Sequence, residues 1–350
     1  MAQVQIKDVA HHAGVSSATV SRVLNAGHGV SEERRARVLQ AVDALGYQPN
    51  RVARNLRRRL TDTIGVVVSD IENPHFTRAV RVIEDTAFDR GYRVLLCNTD
   101  ETPSKQSAYL DMLAAERVLG AIVVPADPAD GTIGQLIDMG IPIVAFDREV
   151  DDPRADAVTA DNITAGFRAT EYLLERGHTR IGFVAGTPHI QTGVERRNGY
   201  ERAMAGHRLE PHSVSGMFRI QEANTATLQL LSERPETTAI VVGNNLMTVG
   251  ALDALRSQNI KVPGDVSLVQ LDDPFWAQLL DPALTSLAQP VRNMAQSAID
   301  LLLQRIRKER DIARHIVFQF ELRERKSVRT VETAMSSPRV ADTVAVSHRQ

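Results

Sequence analysis

Apolar residues recur at helical spacing from the start of the chain: Ile6, Val9, Ala10 and Ala13 share one face, and Gly14 then breaks the run with a residue that tolerates positive φ. Ser16 is a suitable N-cap for a second short helix, in which Val20, Val23 and Leu24 face inward while Ser17, Ala18, Ser21 and Arg22 face out. A third pattern begins at Ser31, places Glu32 and Glu33 at the positive end of the helix dipole, and runs through Val38, Ala41, Val42 and Leu45 to Gly46. Three such helices enclose one small core, and the first two form a helix-turn-helix.

Beyond Thr63 the pattern changes to short apolar runs alternating with helical stretches, the signature of parallel sheets covered by helices on both faces. The runs TIGVVV, YRVLLC, GAIVV and PIVAF precede Asp147, and RIGFVAG, TAIVVG and DVSLVQL follow Asp161. Two series predict two sheets, hence two lobes. The stretches DREVDDPRADAVTADN and LTSLAQPVRN are read as crossovers between them, with residues near 290–320 returning to the first lobe. The expected fold is an all-α helix-turn-helix head followed by an α/β two-lobed body. The expected boundaries are 1–48 for the head, 49–61 for a hinge and 62–330 for the body. Lobe one takes about 62–160 plus 290–320, and lobe two about 161–289 plus 321–330. Residues 331–350 have mixed polarity and no amphipathic period, and are expected to form a disordered tail without the leucine heptads of a tetramerising bundle.

Charge sharpens this division. The whole chain carries −2, yet residues 1–60 hold ten Lys/Arg against four Asp/Glu, a net of +6 that leaves −8 on the rest. A basic head on an acidic body implies that only the head meets a polyanion, nucleic acid first among candidates. Five arginines (51, 54, 57, 58 and 59) crowd between Asn50 and Leu60, around a thin apolar stripe of Val52, Ala53 and Leu56. That density repels itself until neutralised, which predicts a hinge helix that orders on DNA, with Leu56 as a minor-groove wedge between flanking cations. The lone Cys97 lies in an apolar run and reads as core; it excludes an intramolecular disulfide. His11, His12, His178 and His189 have no metal-ligand spacing, and no cofactor is expected. No apolar run approaches a bilayer span and no secretory signal is evident, so a cytoplasmic location without membrane contact is expected.

The stretches IKDVAHHAGVSSATVSRVLN, VSEERRARVLQAVDALGYQPN and RVARNL closely resemble the amino-terminal region of the lactose-repressor/galactose-repressor family of bacterial transcription regulators. The resemblance continues through TIGVVVSDIENPHF, DNITAGFRATEYLLERGHTRIGFVAG, RRNGY, NNLMTVGALDAL, VPGDVSLVQLDD and DPALTSLAQP, covering about residues 4–327. It implies an operator-binding head, a hinge helix and an effector domain similar to periplasmic sugar-binding proteins, acting as a homodimer on a palindromic operator.

By position in that family, Ser17, Ala18, Arg22 and Leu56 face bases, while Thr19, Ser21, Asn25, Tyr47, Asn50, Arg51 and Arg54 contact phosphates. Physical chemistry favours Arg22 most, since a guanidinium bonds bidentately to guanine O6 and N7. The same carry-over lines a carbohydrate effector pocket with His75, Phe76, Arg148, Asp161, Thr192, Arg196, Phe218, Asn244 and Asp272, all at ends of strands or helices. In such a pocket an aromatic face packs on a sugar ring while Arg, Asn and Asp meet its hydroxyls. Two residues depart from the family pattern: His75 stands where an aromatic residue is frequent, and Asn245 where Asp is common. His75 and Arg148 together would admit an acidic sugar or carboxylate.

The reading is therefore a ligand-controlled transcription regulator, a repressor in expectation. The alternative is a carbohydrate-binding protein or enzyme with a basic nucleic-acid-binding appendage. Against the enzyme stands the lack of GxxxxGK[ST], GxSxG or GxGxxG motifs.

Overall fold

The computed structural model describes residues 4–24, 29–47 and 62–331, and the chain divides into two compact units, Met1–Thr61 and Asp62–Gln350. Asn25, Asn50, Arg51, Arg54, Leu56, the hinge and the tail beyond 331 lie outside the described residues.

In the first unit, helices α1 (Ile6–Ala13), α2 (Ser17–Leu24) and α3 (Glu32–Ala44) surround a core of Val9, Ala10, Ala13, Val20, Val23, Val38 and Ala41. The turn between α1 and α2 follows from Gly14, whose φ of 64° lets the Val15 N–H reach back to the Ala10 carbonyl at 3.0 Å. Ser16 then caps α2, its hydroxyl accepting the Thr19 N–H at 3.2 Å. Leu24 is only half-buried, so the inward stripe of α2 rests mainly on Val20 and Val23.

The second unit holds two six-stranded sheets. The first has strands β1 (Thr63–Val68), β2 (Arg93–Asn98), β3 (Ala121–Val123), β4 (Ile143–Asp147) and β5 (Asp156–Ala160), joined by β11 (His315–Phe318) in the order β11-β5-β4-β3-β1-β2. The second has β6 (Ile181–Ala185), β7 (His212–Ser215), β8 (Ala239–Val242), β9 (Ser267–Leu271) and β10 (Thr285–Ala288), joined by β12 (Glu321–Arg323) in the order β12-β10-β9-β8-β6-β7. The orders are the same, position for position; all neighbours pair in parallel except β12 with β10.

Helices α4 (Pro74–Asp89), α5 (Pro103–Ala115), α6 (Gly131–Asp138) and α11 (Val291–Ile306) belong with the first sheet. Helices α7 (Asn162–Leu174), α8 (Gln191–Gly206), α9 (Ile220–Glu233) and α10 (Asn245–Ser257) belong with the second. Strands covered on both faces need continuous apolar runs, which explains TIGVVV, PIVAF and TAIVV.

Five strands escape the apolar-run reading. DREVDDPRADAVTADN and LTSLAQPVRN do carry the chain between lobes, but each first completes a sheet, as β5 and β10. DAVTA and TSLA are short and mixed in polarity, and their place comes from pairing with β4 and β9 rather than from their own pattern. The short β7, β11 and β12 sit at sheet edges, where one side needs no apolar cover, and even the apolar residues of HIVF are only partly covered. A third crossing runs between β11 and β12.

One buried carboxylate fastens the returning segment. Asp156, at the start of β5 and fully buried, accepts both guanidinium nitrogens of Arg310 at 2.7 and 2.8 Å and the Arg314 N–H at 2.6 Å, with Arg305 Nε at 3.4 Å. Removing it leaves buried cations uncompensated, which costs about 3–5 kcal/mol. Asp156→Ala is expected to lower the urea unfolding free energy by about that amount; a loss below about 1 kcal/mol contradicts the anchoring role.

Candidate functional site

In parallel α/β sheets ligands meet the carboxyl ends of the strands. Here those ends converge from both sheets on one cavity. The first lobe supplies Ser69 and Asp70 after β1, Asn73, His75 and Phe76 at the start of α4, Glu101 after β2, and Asp147 and Arg148 at the end of β4. The second supplies Thr192 and Arg196 from α8, Met217, Phe218 and Arg219 after β7, Asn244 after β8, Asp272 after β9 and Gln289 after β10. Asp147 and Asp272 hold equivalent places in the two sheets, and both adopt left-handed backbone, with φ of 67° and 71°.

Each lobe pairs a buried arginine with carboxylates. Arg148 is gripped bidentately by Glu101 at 2.6 and 2.5 Å, donates to the Pro125 carbonyl at 3.0 Å and has Nε 3.6 Å from Asp147. Desolvation works to lower its pKa, but the hydrogen bonds and charge of Glu101 prevail and hold it above its ordinary value. Arg196 donates from Nε to Asn162 at 2.8 Å and from Nη1 to the Gly243 carbonyl at 2.6 Å, with Nη2 4.0 Å from Asp272. Asp272 in turn accepts from Gln289 at 2.7 Å. The helix bearing Arg196 lies tight against α7: a Cβ on Gly166 would stand 2.1 Å from the Arg196 carbonyl oxygen, so this approach requires glycine.

Helix α4 begins at an Asn-Pro step, with Pro74 inside the first turn and Asn73 Oδ1 accepting the His75 N–H at 2.9 Å. That cap points His75 and Phe76 at the cavity; their rings meet edge to face with centroids 4.9 Å apart. His75 Nε2 lies 3.4 Å from Asp147, yet neither ring nitrogen makes a hydrogen bond within the protein. Across the cleft, Asn245 Nδ2 donates to Asn73 Oδ1 at 3.0 Å, so two helix starts from opposite lobes are tied together. A second tie joins the Glu149 N–H to Gln191 at 3.1 Å.

Eight of the nine residues expected to line the pocket are brought together. Asp161 is not. It caps α7, accepting the Thr164 N–H at 3.0 Å, and opens on a separate groove with Thr159, Glu195 and His315. Its carboxylate is committed elsewhere: beyond the cap on Thr164, it accepts from Gln319 at 3.3 Å. Its burial favours the protonated form, but the bonds from Thr164 and Gln319 hold its pKa below the usual value.

Of the two residues expected to admit an acidic ligand, Arg148 has its fork taken up by Glu101, while His75 keeps both ring nitrogens without a hydrogen bond. Asp70, Glu101, Asp147 and Asp272 outnumber Arg148, Arg196 and Arg219 along the wall. Burial pushes the Asp70 carboxyl up. Asp70, Asn73, Glu101, Asp147 and Gln289 escaped sequence reasoning. Asp147 was nonetheless adjacent to Arg148 at a strand end, and the Asn-Pro helix start was legible.

In the head, Ala18 and Arg22 are exposed on α2 while Ser17, Thr19 and Ser21 are half-buried. The Thr19 hydroxyl lies 2.9 Å from that of Ser16, within the cap, and Tyr47 packs against the three-helix core. Cys97 is buried, which raises its thiol pKa. Among the described residues no His, Cys, Asp and Glu group could hold a metal ion, and no helix is long and apolar enough to cross a membrane.

Comparison with known proteins agrees with both units. Residues 5–50 match the family described as bacterial regulatory proteins, lacI family, and residues 61–326 match periplasmic binding proteins and sugar binding domain of LacI family. An HTH-type transcriptional repressor PurR of Edwardsiella ictaluri is 36% identical over 330 residues, 92% of this chain and 96% of the relative. The structure of the transcriptional regulator CelR in complex with cellobiose is 31% identical, with a TM-score of 0.70 over 93% of this chain and 100% of that one. The Lac repressor dimer bound to operator and the anti-inducer ONPF is 26% identical, with a TM-score of 0.84 over 94% of this chain and 100% of that one. The chain belongs to the LacI family of bacterial regulatory proteins.

Proposed function

We propose that this protein is a sequence-specific transcription repressor of the cytoplasm that binds a palindromic operator as a homodimer and is controlled by a small neutral sugar held between its lobes. The observation that carries the reading is the union, in one chain of this family, of a helix-turn-helix head exposing Ala18 and Arg22 with a two-lobed body whose buried polar residues converge from both sheets. The CelR–cellobiose relative supports the sugar class, and the operator-bound Lac repressor dimer supports the DNA partner. The protein acts by binding, not by catalysis.

In this reading α2 lies in the major groove. Arg22 reads guanine, Ala18 offers its methyl to a thymine methyl, and Ser17 bonds either base type. Thr19, Ser21, Asn25, Tyr47, Asn50, Arg51 and Arg54 position the head on phosphates, and Leu56 wedges the minor groove at the hinge.

The inner cavity measures about 40 Å³, room for a few waters, so ligand exchange requires the lobes to part. A neutral sugar suits the wall: hydroxyls donate to Asp147 and Asp272 and accept from Arg196, while Phe76 and Phe218 cover apolar ring faces. A ligand touching both lobes favours one degree of closure over another, and a coupling of about 1–3 kcal/mol is enough to change operator affinity.

Two outcomes follow. Arg22→Ala should weaken binding to the cognate duplex by about tenfold to a hundredfold while leaving non-specific duplexes nearly unchanged, as read by anisotropy competition. Equal losses on all duplexes make Arg22 a phosphate contact instead. Arg196→Lys, which keeps the charge but loses the fork, should weaken the sugar by about tenfold or more while preserving operator affinity, as read by calorimetry and anisotropy on one preparation. Unchanged sugar affinity removes Arg196 from the site.

A further inference from the structure

The polar wall of the inner cavity depends on residues that do not line it. Glu149, Asn162, Gln191 and Glu195 line the separate groove that Asp161 opens on, and none of them reaches the cavity. Their hydrogen bonds form one continuous path. The Glu149 N–H, from lobe one, donates to Gln191 Oε1 at 3.1 Å, and Gln191 Nε2 donates to Glu195 Oε1 at 2.9 Å, one turn along α8. From the other end, Arg196 Nε donates to Asn162 Oδ1 at 2.8 Å, and Asn162 Nδ2 donates to Glu195 Oε2 at 3.2 Å. The path thus runs from the residue after Arg148 on one lobe to Arg196 on the other, and it meets at Glu195.

The polarity of this path is forced. A backbone N–H and a guanidinium nitrogen can only donate, so Gln191 must turn its amide oxygen to Glu149, and Asn162 must turn its oxygen to Arg196. Both amides then present N–H to Glu195. A carboxylate accepts only, and here it gives each arm its own oxygen; a neutral amide at this position could satisfy one arm and would face the other with a second N–H. Glu195 is half-buried and makes no ion pair among the described residues, although Arg196 and Arg197 follow it directly; Arg197 turns instead to Glu201 at 3.5 Å. Its charge is therefore committed to the two amides. Asn162 and Arg196 are only 2% and 4% exposed, so that arm lies in the low-dielectric interior, where each bond polarises the next.

We propose that Glu195 is a positioning residue, which sets the Arg196 guanidinium through Asn162 and ties that setting to lobe closure through Gln191 and Glu149. This rests on the reading of the cleft as the effector site. The Glu149–Gln191 bond is the one link in the path that crosses between lobes, so it breaks when they part, and Gln191 then no longer braces Glu195 from the lobe-one side. A ligand that holds Arg196 in place favours the made path and hence the shut lobes, which gives the two events a shared free energy.

The experiment uses the full chain, first without ligand. Exchange of the Glu149 amide, read by mass spectrometry on peptides spanning residues 148–150, reports the crossing bond, and Gln191→Ala sets the rate of the released amide. Glu195→Ala is expected to raise that exchange by about threefold or more while the amides of β4 stay as protected as in the native chain. Unchanged exchange at Glu149, or a rise spread equally over β4, overturns the path. Calorimetry then follows with glucose, galactose, xylose, ribose and cellobiose. For the sugar that binds the native chain, Glu195→Gln, which keeps the size and helix preference of the side chain, is expected to weaken binding by about fivefold or more. Joined to Gln191→Ala it should weaken binding by less than the product of the two single losses, because both variants cut one path. Native sugar affinity in Glu195→Gln, or losses that multiply, overturn the positioning role and leave the cleft as the sugar site. Failure of every sugar to bind the native chain overturns the sugar reading instead, and the ligand-free exchange still decides the path.

Discussion

Buried charge at the meeting edges of two parallel sheets is the constraint on which the body depends. Asp147 and Asp272 end equivalent strands with the same left-handed turn, and each stands beside an arginine, Arg148 or Arg196, that the interior can hold only when compensated. Glu101 answers Arg148; Asn162, the Gly243 carbonyl and Asp272 answer Arg196. These partners come from different strand ends, so satisfying the charges draws the carboxyl edges of each sheet into one polar floor. The cleft is a consequence of how each lobe solves its own electrostatics, and the proposed ligand site is what remains between two such floors.

The repeated strand order explains why the lobes can respond as units. Each sheet has its own charge floor, one buried apolar cluster includes strands of both sheets, and the hydrogen bonds between lobes away from the crossovers are modest: Asn245 to Asn73, and Glu149 to Gln191. Neutral bonds of this kind contribute about 0.5–1.5 kcal/mol each. A ligand bridging the floors therefore competes with forces of its own size, which is the condition for a population shift.

Much of this was legible in the chain. Fully buried strands announce themselves as apolar runs, and the helix-turn-helix follows from Gly14, Ser16 and the spacing of Val9, Val20, Val23 and Val38. Edge strands such as HSVS and ELR carry no such signal, because their place is set by a neighbour's backbone. The site divides in the same way. Arg196 and Asp272 stood out at strand and helix ends, whereas Glu101 became meaningful only once Arg148 was seen to need it. Asp161 shows the converse failure: a strand-end carboxylate is a helix cap or a cavity wall according to the partners the fold brings to it, here Thr164 and Gln319, and these are not written in local sequence.

The central claim is that one chain joins an operator reader to a ligand cleft. It is tested most directly by incubating the full-length protein with a pool of inverted-repeat duplexes having a flexible central CG step, at two salt concentrations, and sequencing what is retained. The account predicts enrichment of one palindrome, with retention falling steeply as salt rises because phosphate contacts release counterions. Weak retention of all sequences alike, at low salt only, would contradict it and reduce the head to a charged appendage.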